Sequence, residues 1–328
     1  ILSYRGYSIE ELAQKSTFEE TSYLLLFGEL PTSAQLKKFT SKVTQYRDLP
    51  EELVLILKAL PKHTKPMDVL QMAVSSLGTF YDLEVSPEKV KGKKYDDEYF
   101  LNTSAALIGA LGSIVAAWHR IRNGDEPISS KPDCTYAENF LHILGAEKIT
   151  PLMTRIMDAT LVLHGEHTIN ASTFTAMVTS STLANASQVV ASAIGSLSGP
   201  LHGGANEKVI AMLQKIESKE EIRPWLDETL KAKNVVWGMG HREYSVKDPR
   251  ANILTDMVQE LFEEREGGVT DIFEKAIELE KACEEKLSHK GVYPNVDFYS
   301  GILYKEMDIP TDIFTPIFAM SRVSGWLA

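Results

Sequence analysis

Residues 105–118, which read AALIGALGSIVAAW, are the most continuously apolar stretch of the chain. The stretch is shorter than the roughly 20 residues that a helix needs to cross a lipid bilayer, so it predicts a buried core helix. Residues 168–201 also lack charged side chains, but serine, threonine and asparagine recur there, which makes them too polar for a membrane span. The sequence therefore predicts no membrane association.

Helix start signals recur on both sides of this stretch. Thr17 begins a capping box that opens a helix over Phe18–Phe27, and Gly28 is a natural stop. Thr32 begins a second capping box, for a helix over about 33–47. Proline stands at the expected first position of four further helices, at Pro50, Pro66, Pro151 and Pro249. Together with apolar residues spaced by three and four, these signals predict about fourteen helices and short extended pieces near 2–7 and 234–237.

The charge balance disfavours two classes of partner. The 328 residues carry 34 Lys and Arg against 45 Asp and Glu, a net charge of −11, which argues against binding to nucleic acids and anionic membranes. The length favours two domains, and the charge-rich segment 207–290 predicts that one of them is smaller and more solvated; a single domain with an exposed flank is the alternative. Cys134 and Cys283 do not make a disulfide framework, so a reducing compartment, the cytoplasm, is expected.

Four histidines lie beside glycines, and two of them lie close together in His164-Gly165-Glu166-His167. Two histidines three residues apart can share a helix face and bind a metal. The string matches neither of the zinc-binding helix patterns, H-E-x-x-H and H-x-x-E-H, so we do not expect a metal site. Contact with a polar substrate is favoured, because Gly165 lets a ligand approach the backbone closely.

The third of these histidines, His202, lies in the string GPLHGGAN at 199–206, just before a predicted helix. A helix N-terminus lowers the pKa of a nearby histidine and keeps it neutral. A neutral imidazole can donate a hydrogen bond to a developing enolate oxygen. The alternative interpretation is a glycine-rich turn that holds an incidental histidine.

The fourth, His241, belongs to a basic cluster in a chain that is acidic overall. Arg242, Lys247 and Arg250 follow it within ten residues of the sequence. Such a cluster attracts anions against the field of the whole molecule. A solvated cationic loop is the alternative.

Asp297 is a single carboxylate among aromatic and apolar neighbours in the string YPNVDFYSG at 293–301. Partial burial would raise its pKa and make it a stronger base. The alternative is an ordinary N-cap of the helix that follows. Two histidines, one carboxylate and a set of arginines together fit proton abstraction beside a carbonyl, with a dicarboxylate held nearby.

These strings resemble the citrate synthase family along essentially the whole chain. The family pattern is matched by LSYRGY at 2–7, GELPT at 28–32 and the long segment 164–206. PMD at 66–68 resembles another family element, although Lys65 stands where the family usually has histidine. The three catalytic motifs occur in the family order and with the family separations.

The resemblance implies a role for each matching residue. His202 would hydrogen-bond the acetyl carbonyl and stabilise the enol, Asp297 would take a methyl proton from acetyl-CoA, and His241 would polarise the oxaloacetate ketone. The residues that match oxaloacetate-binding or citrate-binding positions are His167, Arg250 and Arg322. The residues that match the backbone stretch contacting CoA are Val235, Val236, Trp237, Gly238 and Met239. No metal and no cofactor beyond the co-substrate acetyl-CoA would be needed.

The resemblance also implies an all-α, two-domain fold that forms a homodimer. The large helical domain would hold 1–204 plus 308–328, and the small helical domain would hold 205–307. The active site would lie in the cleft between them. The uncharged helices within 174–194 are expected to be core-like, with buried faces beyond the needs of one subunit, which agrees with a dimer.

Some features depart from the family pattern. Met239 replaces a phenylalanine, and Glu243 replaces a valine. A family arginine of the C-terminal tail would lie beyond Ala328, and both ends of the chain are expected to be incomplete.

Three functions other than citrate synthase stay open. One is a 2-methylcitrate synthase, which uses propionyl-CoA. The others are a lyase that cleaves citryl-CoA and a non-catalytic paralogue that binds citrate or CoA. Because a single methylene changes discrimination by only about 1–3 kcal/mol, a few side chains would decide the acyl-CoA preference.

Overall fold

The structure is a computed structural model that describes residues 2–85, 90–91, 94–241, 244, 246–264 and 269–328. Sixteen α-helices occupy most of these residues, so the predicted all-α fold is confirmed. Two short antiparallel hairpins are present, β1 (Ser3–Tyr4) with β2 (Tyr7–Ser8), and β3 (Val90–Lys91) with β4 (Lys94–Tyr95). The first hairpin lies where an extended piece was predicted.

Contacts divide the chain into two compact units. The large unit comprises Ser3–His202 and Thr315–Ala328, and the small unit comprises Gly203–Phe314 and Ile1–Leu2. The domain limits expected from the sequence, 1–204 plus 308–328 and 205–307, stay a prediction.

The large unit is built from the first ten helices of the chain and the last one. These are α1 (Ile9–Lys15), α2 (Phe18–Phe27), α3 (Ser33–Gln45), α4 (Glu51–Ala59), α5 (Pro66–Ser76), α6 (Asp97–Arg122), α7 (Tyr136–Leu144), α8 (Pro151–His164), α9 (Ala171–Ser180), α10 (Ala186–Leu197) and α16 (Phe314–Leu327, of which Phe314 is grouped with the small unit).

Helix α6 is the core of the large unit and contains the apolar stretch 105–118. It packs against α3, α5 and α7, and its side chains are buried almost continuously through its middle turns. In the part of the chain that the structure describes, it is the one helix long and apolar enough to span a membrane, yet 89% of that apolar window is buried inside the chain. Burial of this kind is what a core helix requires.

The capping signals placed most helix starts correctly. Thr17 caps α2 and Gly28 ends it in the left-handed conformation, while Thr32 forms the full capping box of α3. Pro66, Pro151 and Pro249 each begin a helix as predicted. Pro50 instead lies one residue before α4, in the N-cap position.

Three local predictions need correction. Helix α3 ends at Gln45 rather than near residue 47, because the Tyr46 amide turns back to the Val43 and Thr44 carbonyls. Residues 234–237 form a loop that pairs with no strand in the described part of the chain, although Met239 just after it makes an isolated antiparallel bridge with Pro294. The segment 174–194 is not uniformly core-like: it spans α9 and α10, and Phe174 on α9 is 59% exposed. An absence of charge does not fix which face of a helix is buried.

Five α-helices lie in the described residues of the small unit. These are α11 (Ala205–Lys215), α12 (Ile222–Lys231), α13 (Pro249–Glu264), α14 (Asp271–Leu287) and α15 (Val296–Glu306). Helix α15 packs against α11 and α13, and α12 packs against α14.

Candidate active site

In the large unit, His202 lies in a turn just after α10 and is held by the start of α9. Its amide donates a hydrogen bond to the Gly199 carbonyl (3.0 Å), which closes the turn. Its Nε2 lies 3.3 Å from the backbone nitrogen of Ser172 and 2.8 Å from the Ser172 hydroxyl. Ser172 is fully buried and its hydroxyl also accepts a hydrogen bond from Trp326 Nε1 (3.1 Å). The imidazole is therefore held in place by Ser172, which is itself buried and hydrogen-bonded to Trp326.

These contacts define the protonation state of His202. Because a backbone N–H can only donate, the contact from Ser172 N favours the tautomer in which Nε2 accepts and Nδ1 carries the proton. Burial, followed by the positive charge of Arg322, lowers the pKa of His202 from 6.5 to about 4. The ring is thus neutral at neutral pH, as expected from the sequence. The causes are burial and the charge of Arg322, and not the helix N-terminus named in that expectation.

Arg322 belongs to the same cluster in the large unit. The residue is only 2% exposed, and its Nε donates to the His164 carbonyl (2.7 Å). Its guanidinium lies 4.7 Å from the centroid of the Phe318 ring, which meets the His164 ring edge to face at 5.0 Å and lies 6.5 Å from the His202 ring. Helix α16 therefore brings a buried cation beside the neutral histidine.

The turn that carries His167 approaches α16 at a glycine. A Cβ added to Gly325 would lie 2.4 Å from the Gly165 carbonyl oxygen, so only glycine allows this approach. The Tyr4 hydroxyl donates to the Glu166 carbonyl (2.9 Å) and ties the turn to β1. His167 is buried in this turn, in the same unit as His202 and Arg322.

In the small unit, the loop that leads to His241 is bound along its length to residues 293–295. The Gly240 amide donates to the Tyr293 carbonyl (2.7 Å), and the Asn295 amide donates to the Gly238 carbonyl (2.9 Å). Gly238 has φ +79°, and an added Cβ would lie 2.9 Å from Phe298 Cβ. Both the backbone conformation and the close packing therefore require glycine at this position.

Asp248 and Arg250 form a buried ion pair at the end of this loop. The Asp248 carboxylate accepts from Arg250 Nε (3.0 Å) and Nη2 (2.8 Å), and also from the Val296 amide (3.2 Å). Burial alone would raise the pKa of Asp248, but the charge and hydrogen bonds of Arg250, with the charge of His241, lower it on balance. Asp248 therefore links the Arg250 side chain to the N-terminus of α15 by hydrogen bonds.

Asp297 lies in the first turn of α15 and is half-buried. The N-cap of this helix is Asn295, whose side chain accepts from the Asp297 amide (3.0 Å). The alternative that Asp297 is itself the N-cap is therefore wrong. The Asp297 carboxylate therefore does not cap the start of α15.

The basic cluster is only partly a set of exposed cations. Lys247 pairs with Glu280 at 2.5 Å, and Arg250 is paired with Asp248. The His241 ring is half-buried and lies 4.7 Å from the Tyr244 ring, centroid to centroid. Arg242, and also Glu243 among the family departures, lie outside the described residues.

The stretch expected to contact CoA runs just before this loop. Val235 is 62% exposed and Val236 is buried. The Lys208 ammonium lies 3.9 Å from the centroid of the half-exposed Trp237 ring, a distance typical of a cation–π contact. Among the described residues, no three His, Cys, Asp or Glu side chains lie together as metal ligands would.

Comparison with known proteins places this arrangement in a family. The model of the citrate synthase C-terminal domain matches residues 1–328. The chain belongs to the citrate synthase family. A citrate synthase of Synechocystis sp. is 45% identical over 328 residues, covering all of this chain and 80% of the relative. A 2-methylcitrate synthase of Shewanella oneidensis is 37% identical over 329 residues, covering all of this chain and 83% of that relative.

A solved citrate synthase structure from Thermoplasma acidophilum superposes with a TM-score of 0.88 at 31% identity. It covers 98% of this chain and 83% of that one, and it was determined in complex with carboxymethyl coenzyme A and oxaloacetate.

Several residues that support the candidate site could not be identified from the sequence. Ser172, which holds His202, is 30 residues away from it in the chain. Asp248 precedes Pro249 as a helix N-cap does, and its carboxylate does accept from the Arg250 amide (3.0 Å), but its pairing with the Arg250 side chain was not predicted. Phe318 carried no signal apart from its apolar character. Only the spacing of Asp248 and Arg250, two residues apart at a helix start, hinted at a local contact.

Proposed function

We propose that the chain catalyses the condensation of acetyl-CoA with oxaloacetate and the hydrolysis of the citryl-CoA that results. The observation that carries the proposal is the buried, neutral His202, whose Nε2 accepts from Ser172 N and whose pKa is lowered by burial and, to a smaller extent, by the charge of Arg322. A neutral imidazole donor beside a fixed cation suits an enolate that forms from a thioester. Family membership across the whole chain supports the same reaction.

In this proposal the residues of the two units serve one reaction. Asp297 takes a proton from the acetyl methyl group as the C–H bond breaks, and the oxygen of the resulting enolate accepts a hydrogen bond from His202 Nδ1–H. The nucleophilic carbon of the enolate bonds to the oxaloacetate ketone carbon, and His241 gives a proton to the ketone oxygen. Water then cleaves the thioester to release citrate and CoA.

The substrates are assigned by charge and shape. Oxaloacetate is a dicarboxylate, and we assign it to His167, Arg250 and Arg322, since arginine pairs with carboxylates through two parallel hydrogen bonds. Acetyl-CoA is assigned to the backbone of residues 235–239. The reaction is proposed to need no metal, so that activity should survive exhaustive chelation; tightly bound stoichiometric zinc whose removal abolishes turnover would contradict this. We also propose that the chain works in the cytoplasm.

The test is a thiol-release assay with oxaloacetate and either acetyl-CoA or propionyl-CoA, with citrate quantified as product. Asp297→Asn should bind oxaloacetate normally and lose most turnover, because a carboxamide cannot take the proton. Asp256→Asn, at an exposed aspartate on α13, is the matched control and should retain wild-type rates. Wild-type rates in Asp297→Asn would remove this residue from the mechanism, and a larger kcat/KM for propionyl-CoA would favour the 2-methylcitrate reaction.

We further propose that the chain forms a homodimer through an apolar face around α9, which we define by Ile169, Phe174, Met177, Val178 and Leu183. Each of these side chains is at least half exposed. Residues 168–201 carry no charge, so two copies could meet there without the repulsion expected from a net charge of −11. A two-fold dimer would place the same face of both copies in contact.

Sedimentation or light scattering tests this dimer. Met177→Glu puts a charge in the middle of the α9 face and should shift the chain towards monomer. Leu55→Glu, at a 59% exposed leucine on α4, is the control and should leave the assembly unchanged. A Met177→Glu chain that still sediments as a dimer would place the interface elsewhere.

A further inference from the structure

A three-residue network in the small unit joins the loop after His241 to the helix that carries Asp297. The Lys247 ammonium lies 2.5 Å from Glu280 Oε1, and the Tyr299 hydroxyl donates a hydrogen bond to Glu280 Oε2. The Lys247 ammonium also lies 5.6 Å from the centroid of the Tyr299 ring. One carboxylate thus uses both oxygens to hold two different segments.

The three residues come from three separate elements. Glu280 lies on α14, Tyr299 lies on α15, and Lys247 lies in the loop just before Asp248. The Glu280 side chain is 16% exposed and Tyr299 is fully buried, so the network is largely removed from water. Burial, with the charge of Glu280, raises the pKa of the Tyr299 hydroxyl, which therefore stays a proton donor at neutral pH.

In the chain, this network lies next to residues of the candidate site in the small unit. Lys247 is followed directly by Asp248, which holds both Arg250 and the Val296 amide. Tyr299 lies two residues after Asp297 on the same helix. A shift of the loop relative to α15 would therefore move Arg250 and His241 with respect to Asp297.

We propose that Glu280 is a positioning residue, which fixes the loop of His241 and Arg250 against α15 by bridging Lys247 and Tyr299. The proposal rests on the function proposed above for those residues. Glu280 itself touches none of the groups assigned to the substrates. It acts through the geometry of the groups that do, and sub-ångström errors in such geometry reduce catalytic rates strongly.

The chain offers a matched control on the same helix. Glu278 has a side chain 18% exposed and pairs with Arg223 at 2.6 Å, which makes it comparable to Glu280 in burial and in the ion pair it forms. Arg223 belongs to α12, away from the loop. Glu278→Ala therefore removes a similar interaction without disturbing the loop.

Steady-state kinetics on purified variants separate positioning from simple stabilisation. Glu280→Ala should raise the KM for oxaloacetate about tenfold and lower kcat about tenfold, whereas Glu278→Ala should change both by less than about twofold. Glu280→Gln keeps an oxygen that can accept from Tyr299 and should give intermediate values. Equal effects of Glu280→Ala and Glu278→Ala, at similar losses of thermal stability, would overturn the proposal.

A double-mutant cycle gives a second readout that a stability effect alone does not move. If Glu280 acts through Lys247, adding Glu280→Ala to Lys247→Met should change the kinetic constants by much less than it does in the wild-type background. Full additivity would overturn the bridging role. Should Glu280→Ala fail to fold, Glu280→Gln and Lys247→Met carry the same test. Citrate formation by the unmodified chain is measured first, so a failed function and a failed positioning role are distinguished.

Discussion

The neutral state of His202 is a direct physical prediction of the structure, and it can be measured without any assumption about turnover. The perturbation is Arg322→Met, which removes the positive charge and keeps a long apolar side chain against Phe318. Burial is the larger cause that lowers the pKa of His202, and Arg322 is the smaller one. We therefore expect the pKa of His202 to rise in this variant but to stay below 6.5.

The size of the effect follows from the pKa. A fall from 6.5 to about 4 corresponds to roughly 3 kcal/mol between the protonated and neutral forms in the folded chain. Because the folded pKa lies below the unfolded value, this free energy of folding is lost as the pH falls from 6.5 towards 4. At pH 5, wild type should have lost roughly 2 kcal/mol through this histidine, a loss that His202→Gln cannot show.

The assay is NMR of chain labelled at the histidine rings, with His202→Gln used to assign the resonance. In wild type, the His202 signal should keep the shifts of a neutral ring protonated on Nδ1 from pH 8 to pH 5. In Arg322→Met it should begin to titrate at a higher pH. A wild-type pKa of 6 or more would refute the argument from burial, and an unchanged pKa in Arg322→Met would refute the role of the charge.

Three further predictions follow from other parts of the molecule. Arg250→Lys and Arg322→Lys should each raise the oxaloacetate KM and lower kcat by about tenfold, because lysine cannot form two parallel bonds to a carboxylate; unchanged constants in both variants would contradict the assignment. Gly238→Ala should cost about 2 kcal/mol more than Gly124→Ala in denaturant unfolding, since both glycines have positive φ but an added Cβ has close neighbours only at Gly238. Burial and the charge of Glu19 raise the pKa of Asp158 to about 7, so the folded chain loses stability as the pH rises from 3.8 towards 7. Asp158→Asn keeps an acceptor for the Phe18 amide. Its free energy of unfolding, relative to that of wild type, should increase by about 1 kcal/mol or more from pH 5 to pH 8. If the stability of both chains responds equally to pH, this prediction is wrong.

Local chemistry made much of the fold predictable. Thr17 and Thr32 fix helix starts within three residues of sequence: both side chains accept the N-cap hydrogen bond, and Thr32 forms the full capping box. Where prediction failed, the deciding interaction was distant or absent: residues 234–237 have the composition of a strand, but no strand among the described residues pairs with them. Composition also did not tell which side chains of α9 lie in the core and which are exposed, such as Phe174.

The candidate site was indicated by two kinds of local sequence. His202 and His241 stand beside glycines, which mark backbone that must turn sharply or approach a neighbour, and Asp297 is a single carboxylate among aromatic and apolar residues. The residues that contact them were not identified from the sequence, since Ser172 lies beside His202, and Glu280 beside Lys247 and Tyr299, only through folding. The spacing of residues along the sequence predicts contacts within one or two helical turns, but it does not predict contacts between separate elements.

The two arginines assigned to oxaloacetate lie in different electrostatic surroundings, and this difference bears on what each contributes. Arg250 is bound at two nitrogens by the Asp248 carboxylate, so much of its charge is neutralised and its chief contribution is a fixed direction. Arg322 donates a hydrogen bond to the His164 carbonyl, and its positive charge adds to burial, the larger cause, in lowering the pKa of His202. In the proposed site the same buried guanidinium would thus bind a dicarboxylate and help to keep the neighbouring imidazole neutral. That imidazole can then donate a hydrogen bond to an enolate without first being a cation.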